Sequence, residues 1–152
     1  MSNTFSYASF TSPLSGRNFY TSVKVTNPKY NKSVTITMLA DTGALNSQID
    51  GETYGPPLGV NVTSGEAASS LTTAGSATSY KHLMNLQITG LKPFINVPVY
   101  FTVKRPNPYF NNLGWTGVLE KLQLNVTPTK LTYTELAQAA MANAQAYFRS
   151  RI

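Results

Sequence analysis

The chain of 152 residues contains no cysteine. Disulfides, a cysteine nucleophile and thiolate metal sites are thereby excluded, while the compartment stays open. Histidine occurs once, as His82, so neither a His-rich metal centre nor a Cys–His pair can be assembled. There is no Gly-x-Ser-x-Gly elbow and no phosphate-binding glycine loop of the Walker type. Apolar residues never run to the roughly 20 that a membrane-spanning helix requires. The start, Met1-Ser2-Asn3-Thr4-Phe5, lacks a basic stretch followed by an apolar one, so no signal peptide is expected. A soluble piece of a longer protein would read the same way. No cofactor, no metal and no membrane segment are expected.

Charge is also scarce. Only 12% of residues are charged, and 12 Lys and Arg against 6 Asp and Glu leave a net charge of +6. A positive balance permits attraction to nucleic acid, but the basic residues are scattered from Arg17 to Arg151 with no run longer than two. Dispersed solubilising charge is expected, and no nucleic-acid partner. Uncharged Ser, Thr, Asn, Gln and Tyr dominate instead, a surface that changes little with pH and is compatible with work in acid. The length suits one domain with a real core.

What is present begins with a strand. Ser33-Val34-Thr35-Ile36-Thr37-Met38 alternates strictly and is rich in β-branched residues, the pattern of a half-buried strand. Asn18 to Val25 alternates as well, and Asn27-Pro28-Lys29-Tyr30-Asn31 reads as the turn between them. This hairpin delivers Asp41-Thr42-Gly43-Ala44. An Asp at the end of an apolar strand is costly to bury unless it is hydrogen-bonded. Thr42 offers a hydroxyl, and Gly43 lets the backbone turn and approach another closely. The arrangement suits a carboxylate held at the floor of a cleft; a strand-end turn with Asp41 as a local cap is the other reading.

Further on, Asn46 to Ile49 reads as a short strand, and Asp50 to Gly59, with its three Gly and two Pro, as a loop. Val60 to Tyr80 is dense in Ser, Thr, Ala and Gly. It reads either as a mobile surface loop or, over Leu71 to Tyr80, as a hairpin with Gly75 near its tip. Leu83 to Ile88 and Ile95 to Val103 are strands, the second at an edge or bulged at Pro98. Arg105 to Pro108 is a rigid loop, Trp115 to Leu122 a short helix, and Leu124–Val126 and Lys130–Tyr133 short strands. From Thr134 an Ala-rich helix is expected, with Glu135 at its start and Arg149 and Arg151 at its end. Its stripe of Leu136, Ala140, Ala144 and Tyr147 would dock on the same domain or on a second chain. Three parts result: an irregular or edge-strand arm over 1–18, a body over 19–133 and a helix over 134–152.

The order strand, Asp41-Thr42-Gly43-Ala44, polar residues and Ile49 is followed far downstream by Asn112-Leu113-Gly114-Trp115 and Val118-Leu119-Glu120-Lys121-Leu122. Over roughly residues 20 to 133 this resembles the retroviral-type aspartic proteases, or retropepsins. The resemblance implies a mainly β fold, the retropepsin-like acid protease β-barrel with one short internal helix, to which this chain adds the C-terminal helix. It also implies an aspartic endopeptidase, in which two carboxylates share one proton and hold a water between them. Close carboxylates cannot both ionise cheaply, so such a dyad titrates in two separated steps. There is no second Asp-Thr-Gly, so the second Asp41 must come from a second subunit of a homodimer, with the two-fold axis through the cleft.

On the same resemblance Asp41 activates water, Thr42 and Gly43 hold the carboxylates, and Ala44 lines the cleft. The hairpin tip at Ala74, Gly75 and Ser76 covers a peptide or protein substrate with apolar groups beside the cut. Three departures stand out. Leu45 and Trp115 occupy positions where the family usually carries an Asp–Arg ion pair, so an apolar contact replaces it without stranding a charge. Asn112 stands where an apolar residue is usual, and an arm and a helix stand where retroviral dimers interleave terminal strands. A non-catalytic domain of the same fold that binds peptides or assembles is the alternative; a basic nucleic-acid-binding β-barrel is the least supported.

Overall fold

Alternation at period two builds the centre of the fold. The computed structural model describes residues 9–15, 18–72, 75–104, 111–127 and 130–135. After β1 (Ser9–Ser15), β2 (Asn18–Asn27) and β3 (Lys32–Ala40) form the expected antiparallel hairpin. Val23 and Val25 on β2 and Ile36 and Met38 on β3 are buried, while Lys24, Thr35 and Thr37 between them are exposed. The register pairs Val23 with Ile36 and Val25 with Val34, so the apolar sets of both strands face one core.

The chain continues through β4 (Ser47–Asp50), α1 (Gly51–Leu58), a 3-10 turn at Val62–Ser64, β5 (Glu66–Thr72), β6 (Gly75–Ile88) and β7 (Phe94–Val103). It ends through β8 (Asn112–Leu113), a 3-10 turn at Leu119–Lys121, β9 (Leu122–Val126) and β10 (Lys130–Glu135). The protein is mainly β. Its strands join in the order β5-β6-β7-β4-β8-β3-β2-β1-β10-β9, with an additional pairing of β6 to β2. Leu86 and Ile88 of β6, Val99 and Phe101 of β7, Ile49, Leu113 and Tyr133 are wholly buried and complete the core. Each such side chain contributes about 1.5–3 kcal/mol relative to exposure.

Several expectations change. Asp50 to Gly59 is not a loop but α1 capped by its own sequence. Asp50 Oδ1 accepts from Glu52 N–H at 3.1 Å, and Oδ2 from the Thr53 hydroxyl at 2.6 Å. Gly51 is there for packing rather than turning, since a Cβ on it would lie 3.0 Å from the Thr102 carbonyl oxygen. Trp115 to Leu122 is not one helix. Gly117 at φ 75° breaks it, leaving a turn and the 3-10 turn at Leu119–Lys121.

β6 is a single strand of 14 residues where the sequence suggested a hairpin arm and a separate strand. Pro98 pairs with Leu83 of β6, beside a register shift between Met84 and Leu86, and the β4 pairing begins only at Val99. β7 is therefore no edge strand, since it lies between β6 and β4, but Pro98 falls just before the β4 pairing begins, where only its β6 side is paired. Within the expected arm, Ser9–Ser15 is no edge, since β1 lies between β2 and β10 in the sheet. β10 runs on to Glu135, past the expected helix start at Thr134. The rest of that helix, residues 1–8 and the Arg105 to Pro108 loop lie outside the described residues.

Candidate active site

Asp41 follows β3 directly, and the turn that carries it leads into β4. The two-residue strand β8 is inserted between these two. It runs parallel to β3, pairing Asn112 with Leu39 and Leu113 with Ala40, and antiparallel to β4, pairing Asn112 with Gln48. Hydrogen bonds extend the insertion on both sides. Leu39 N–H donates to the Asn111 carbonyl at 2.7 Å, and Asp41 N–H to the Leu113 carbonyl at 3.0 Å. Beyond β8, Trp115 N–H donates to the Ala44 carbonyl at 2.9 Å and Thr116 N–H to the Leu45 carbonyl at 2.8 Å. The Asp41 turn is thus tied to β8 and the segment after it by backbone hydrogen bonds.

Within the turn, Ala44 N–H donates to the Asp41 carbonyl at 3.2 Å. Gly43 N–H donates to Asp41 Oδ1 at 3.0 Å. One carboxylate oxygen is thus fixed by the backbone two residues on, and the side chain is partly exposed. A Cβ on Gly43 would lie 3.3 Å from Asp41 Oδ1, so this approach favours glycine. Asp41, Gly43 and Ala44 are therefore brought together. Thr42 is exposed, and its hydroxyl makes no hydrogen bond to a described residue.

Gly75 and Ser76 open β6 opposite Thr72 and Leu71 of β5, so Gly75 does stand beside a hairpin tip. Ala74 lies outside the described residues. Among the described residues, the hydrogen bonds of the Asp41 turn run to β8 and the segment after it, and none to the hairpin.

Two supporting residues escaped the sequence. Ser47 is wholly buried, and its Oγ accepts from Gly114 N–H at 3.0 Å. Asn111 Oδ1 accepts from Asp50 N–H at 2.9 Å, tying the chain before β8 to the start of α1. Both lie next to positions already singled out, but which neighbour faces the backbone depends on the β8 insertion, and no local pattern encodes that. Asn112 Oδ1 is buried without a hydrogen-bond partner among the described residues. Ser47→Ala would strand the Gly114 N–H in the interior, at a cost of about 1–3 kcal/mol. Urea unfolding at equilibrium measures it.

Among the described residues no three His, Asp or Glu side chains gather in a way that could hold a metal ion, and no helix is long and apolar enough to cross a membrane. His82 is engaged structurally: Nε2–H donates to the Val62 carbonyl at 2.8 Å, and the ring meets Phe101 edge to face at 5.2 Å.

Comparison with solved structures finds a retropepsin-like aspartic protease from Rickettsia conorii at a TM-score of 0.67. The match covers 88% of this chain and 95% of that one at 20% sequence identity. At this identity the likeness shows the fold: the chain is mainly β and retropepsin-like in architecture. No family model matches the chain, and no curated protein matches it.

Proposed function

We propose that the chain is an aspartic endopeptidase that acts as a homodimer, with one Asp41 from each subunit. The observation that carries this reading is the Asp41 carboxylate itself. It is partly exposed at a strand end, one oxygen held by Gly43 N–H at 3.0 Å, on a turn hydrogen-bonded to an inserted strand. Two such carboxylates facing each other hold a water between them. One accepts a proton as the water oxygen attacks the scissile carbonyl carbon, and the other donates a proton to the carbonyl oxygen. Collapse of the tetrahedral intermediate then breaks the C–N bond, and the departing nitrogen takes a proton from the dyad. Gly43 orients the carboxylate, Thr42 stands beside it, and Ala44 lines the cleft. The β5–β6 hairpin, in which Gly75 and Ser76 stand opposite Thr72 and Leu71, closes over an extended peptide. In this reading the pairings from β2 through β6, β7, β4, β8 and β3 back to β2 form the wall of a barrel.

The test is cleavage of a denatured mixed-protein substrate between pH 3 and 7, read by mass spectrometry, with pepstatin in a parallel series. Products from wild type alone, suppressed by pepstatin and absent with Asp41→Asn, are expected. No products from a folded, dimeric sample would turn the reading into that of a non-catalytic domain of the same fold.

A further inference from the structure

The β2–β3 turn, the end of α1 with the 3-10 turn after it, and the middle of β6 enclose a cavity of about 280 Å³. It lies at the far end of β3 from Asp41, which at about 3.3 Å per residue is about 25–30 Å away. Tyr30 and Leu83, large apolar side chains exposed at 53% and 52%, both line it, together with Pro28.

The polar groups of the walls are already engaged with one another. Asn27 is buried; its Nδ2–H donates to the Leu58 carbonyl at 2.8 Å, and its Oδ1 accepts from Lys29 N–H at 3.1 Å. The Ser64 hydroxyl donates to the Asn61 carbonyl at 2.7 Å, and His82 Nε2–H to the Val62 carbonyl at 2.8 Å. Gly59 ends α1 at φ 69°, and a Cβ on it would press on Tyr30 Cδ2 at 3.2 Å. The cavity is therefore formed before any ligand arrives, and what it offers inside is the apolar surface of Pro28, Tyr30 and Leu83.

Its rim carries cations. Lys29 Nζ stands 5.3 Å from the Tyr30 ring centroid, and Lys32 Nζ lies beside Gly59, 3.6 Å from where a Cβ would be. Neither lysine pairs with a carboxylate among the described residues, and no Asp or Glu lines the cavity. Lys81, next to His82, differs, because Glu66 takes its ammonium group at 3.2 Å.

We infer that this pocket docks an acidic peptide segment, which seats one bulky apolar side chain against Tyr30 and Leu83 and sets carboxylates against Lys29 and Lys32. Size and charge select this occupant. Pockets that enclose whole small molecules run to about 300–1,000 Å³; this one takes a single large side chain, with the flanking residues across the rim. Two ammonium groups at one rim without a carboxylate repel each other, and an acidic segment relieves that repulsion. A neutral peptide leaves it in place and a basic one adds to it. The inference needs no catalysis: it concerns a surface remote from Asp41.

The test uses the Asp41→Asn protein with saturating pepstatin, so that neither cleavage nor binding in the cleft contributes. It is titrated into a fluorescein-labelled decapeptide of Glu and Gly residues around a central Leu-Phe pair, and anisotropy is read at low and at physiological salt. Tyr30→Ala/Leu83→Ala and Lys29→Ala/Lys32→Ala, each checked for folding by circular dichroism, should weaken binding about tenfold. The lysine effect should shrink with added salt, and the apolar effect should not. Lys121→Ala/Lys130→Ala removes the same charge from exposed positions elsewhere and should leave binding nearly unchanged. A peptide with Ser in place of the Leu-Phe pair should bind about tenfold more weakly. Equal binding of the two peptides, or equal losses from both lysine pairs, would reduce the attraction to net charge and overturn the inference, as would no binding at all. Such a failure leaves the peptidase reading intact, and an inactive wild type leaves this inference intact.

Discussion

Asp41→Asn is expected to lower peptide cleavage about a hundredfold or more, the range in which a positioned acid–base group acts, without unfolding the protein. The substitution is nearly isosteric. The Asn side-chain oxygen still accepts the Gly43 N–H that now meets Asp41 Oδ1 at 3.0 Å, so the turn keeps its shape. The backbone bonds from Leu39 and Asp41 to the β8 segment do not involve the side chain at all. What is lost is the ability to take a proton from water, which an amide lacks. Single-turnover cleavage of one fluorogenic peptide, alongside thermal unfolding of both proteins, separates the two effects. Full activity in the variant would end the mechanism; a large drop in unfolding temperature would make Asp41 a structural cap.

Gly114→Ala is expected to be the most damaging single methyl group near the site. A Cβ there would stand 2.4 Å from the Asn46 carbonyl carbon, 2.5 Å from its oxygen and 2.8 Å from Ser47 N. All three are backbone atoms between the Asp41 turn and β4, so no rotamer change relieves the clash. Either β8 with its Leu113 bond to Asp41 moves away, or the turn does. Overpacking of this kind costs about 1–3 kcal/mol where neighbours can adjust, and rigid backbone places this position at or above the upper end. Activity should fall further than stability, because the displaced segment carries the carboxylate. Chemical denaturation and cleavage measured on the same preparation test both parts. An Ala variant of wild-type stability would mean that the close approach of Gly114 to Asn46 does not exist in solution.

Features written locally were legible from the sequence. Alternation over Ser33–Met38 together with Asn18–Val25 was enough for the β2–β3 hairpin, because one buried face fixes both period and register. The turn at Asp41 and the segment around Gly114 could be singled out, but β8 has only two residues, and its insertion between β3 and β4 is a non-local pairing without a periodic signal. α1 was hidden because its Gly51, Gly55, Pro56 and Pro57 carry the composition of a loop. Its glycines pack against Thr102 and Val62, a tertiary requirement that a local reading turns into punctuation. The unity of β6 was hidden by its Ser, Thr and Ala half, whose small side chains blur the alternation that Leu86 and Ile88 display. β1 looked like an arm because its partner β10 lies at the far end of the chain.

Mixing subunits addresses the central claim, that two copies share one catalytic dyad. Wild type at fixed concentration is incubated with increasing Asp41→Asn protein under conditions where dimers exchange, and cleavage is followed. If each site needs an Asp41 from both chains, a tenfold excess of the variant should leave about one tenth of the activity, as nearly every wild-type subunit then sits in a mixed dimer. Activity that stays constant at every ratio would mean that a single chain suffices, and would contradict the account.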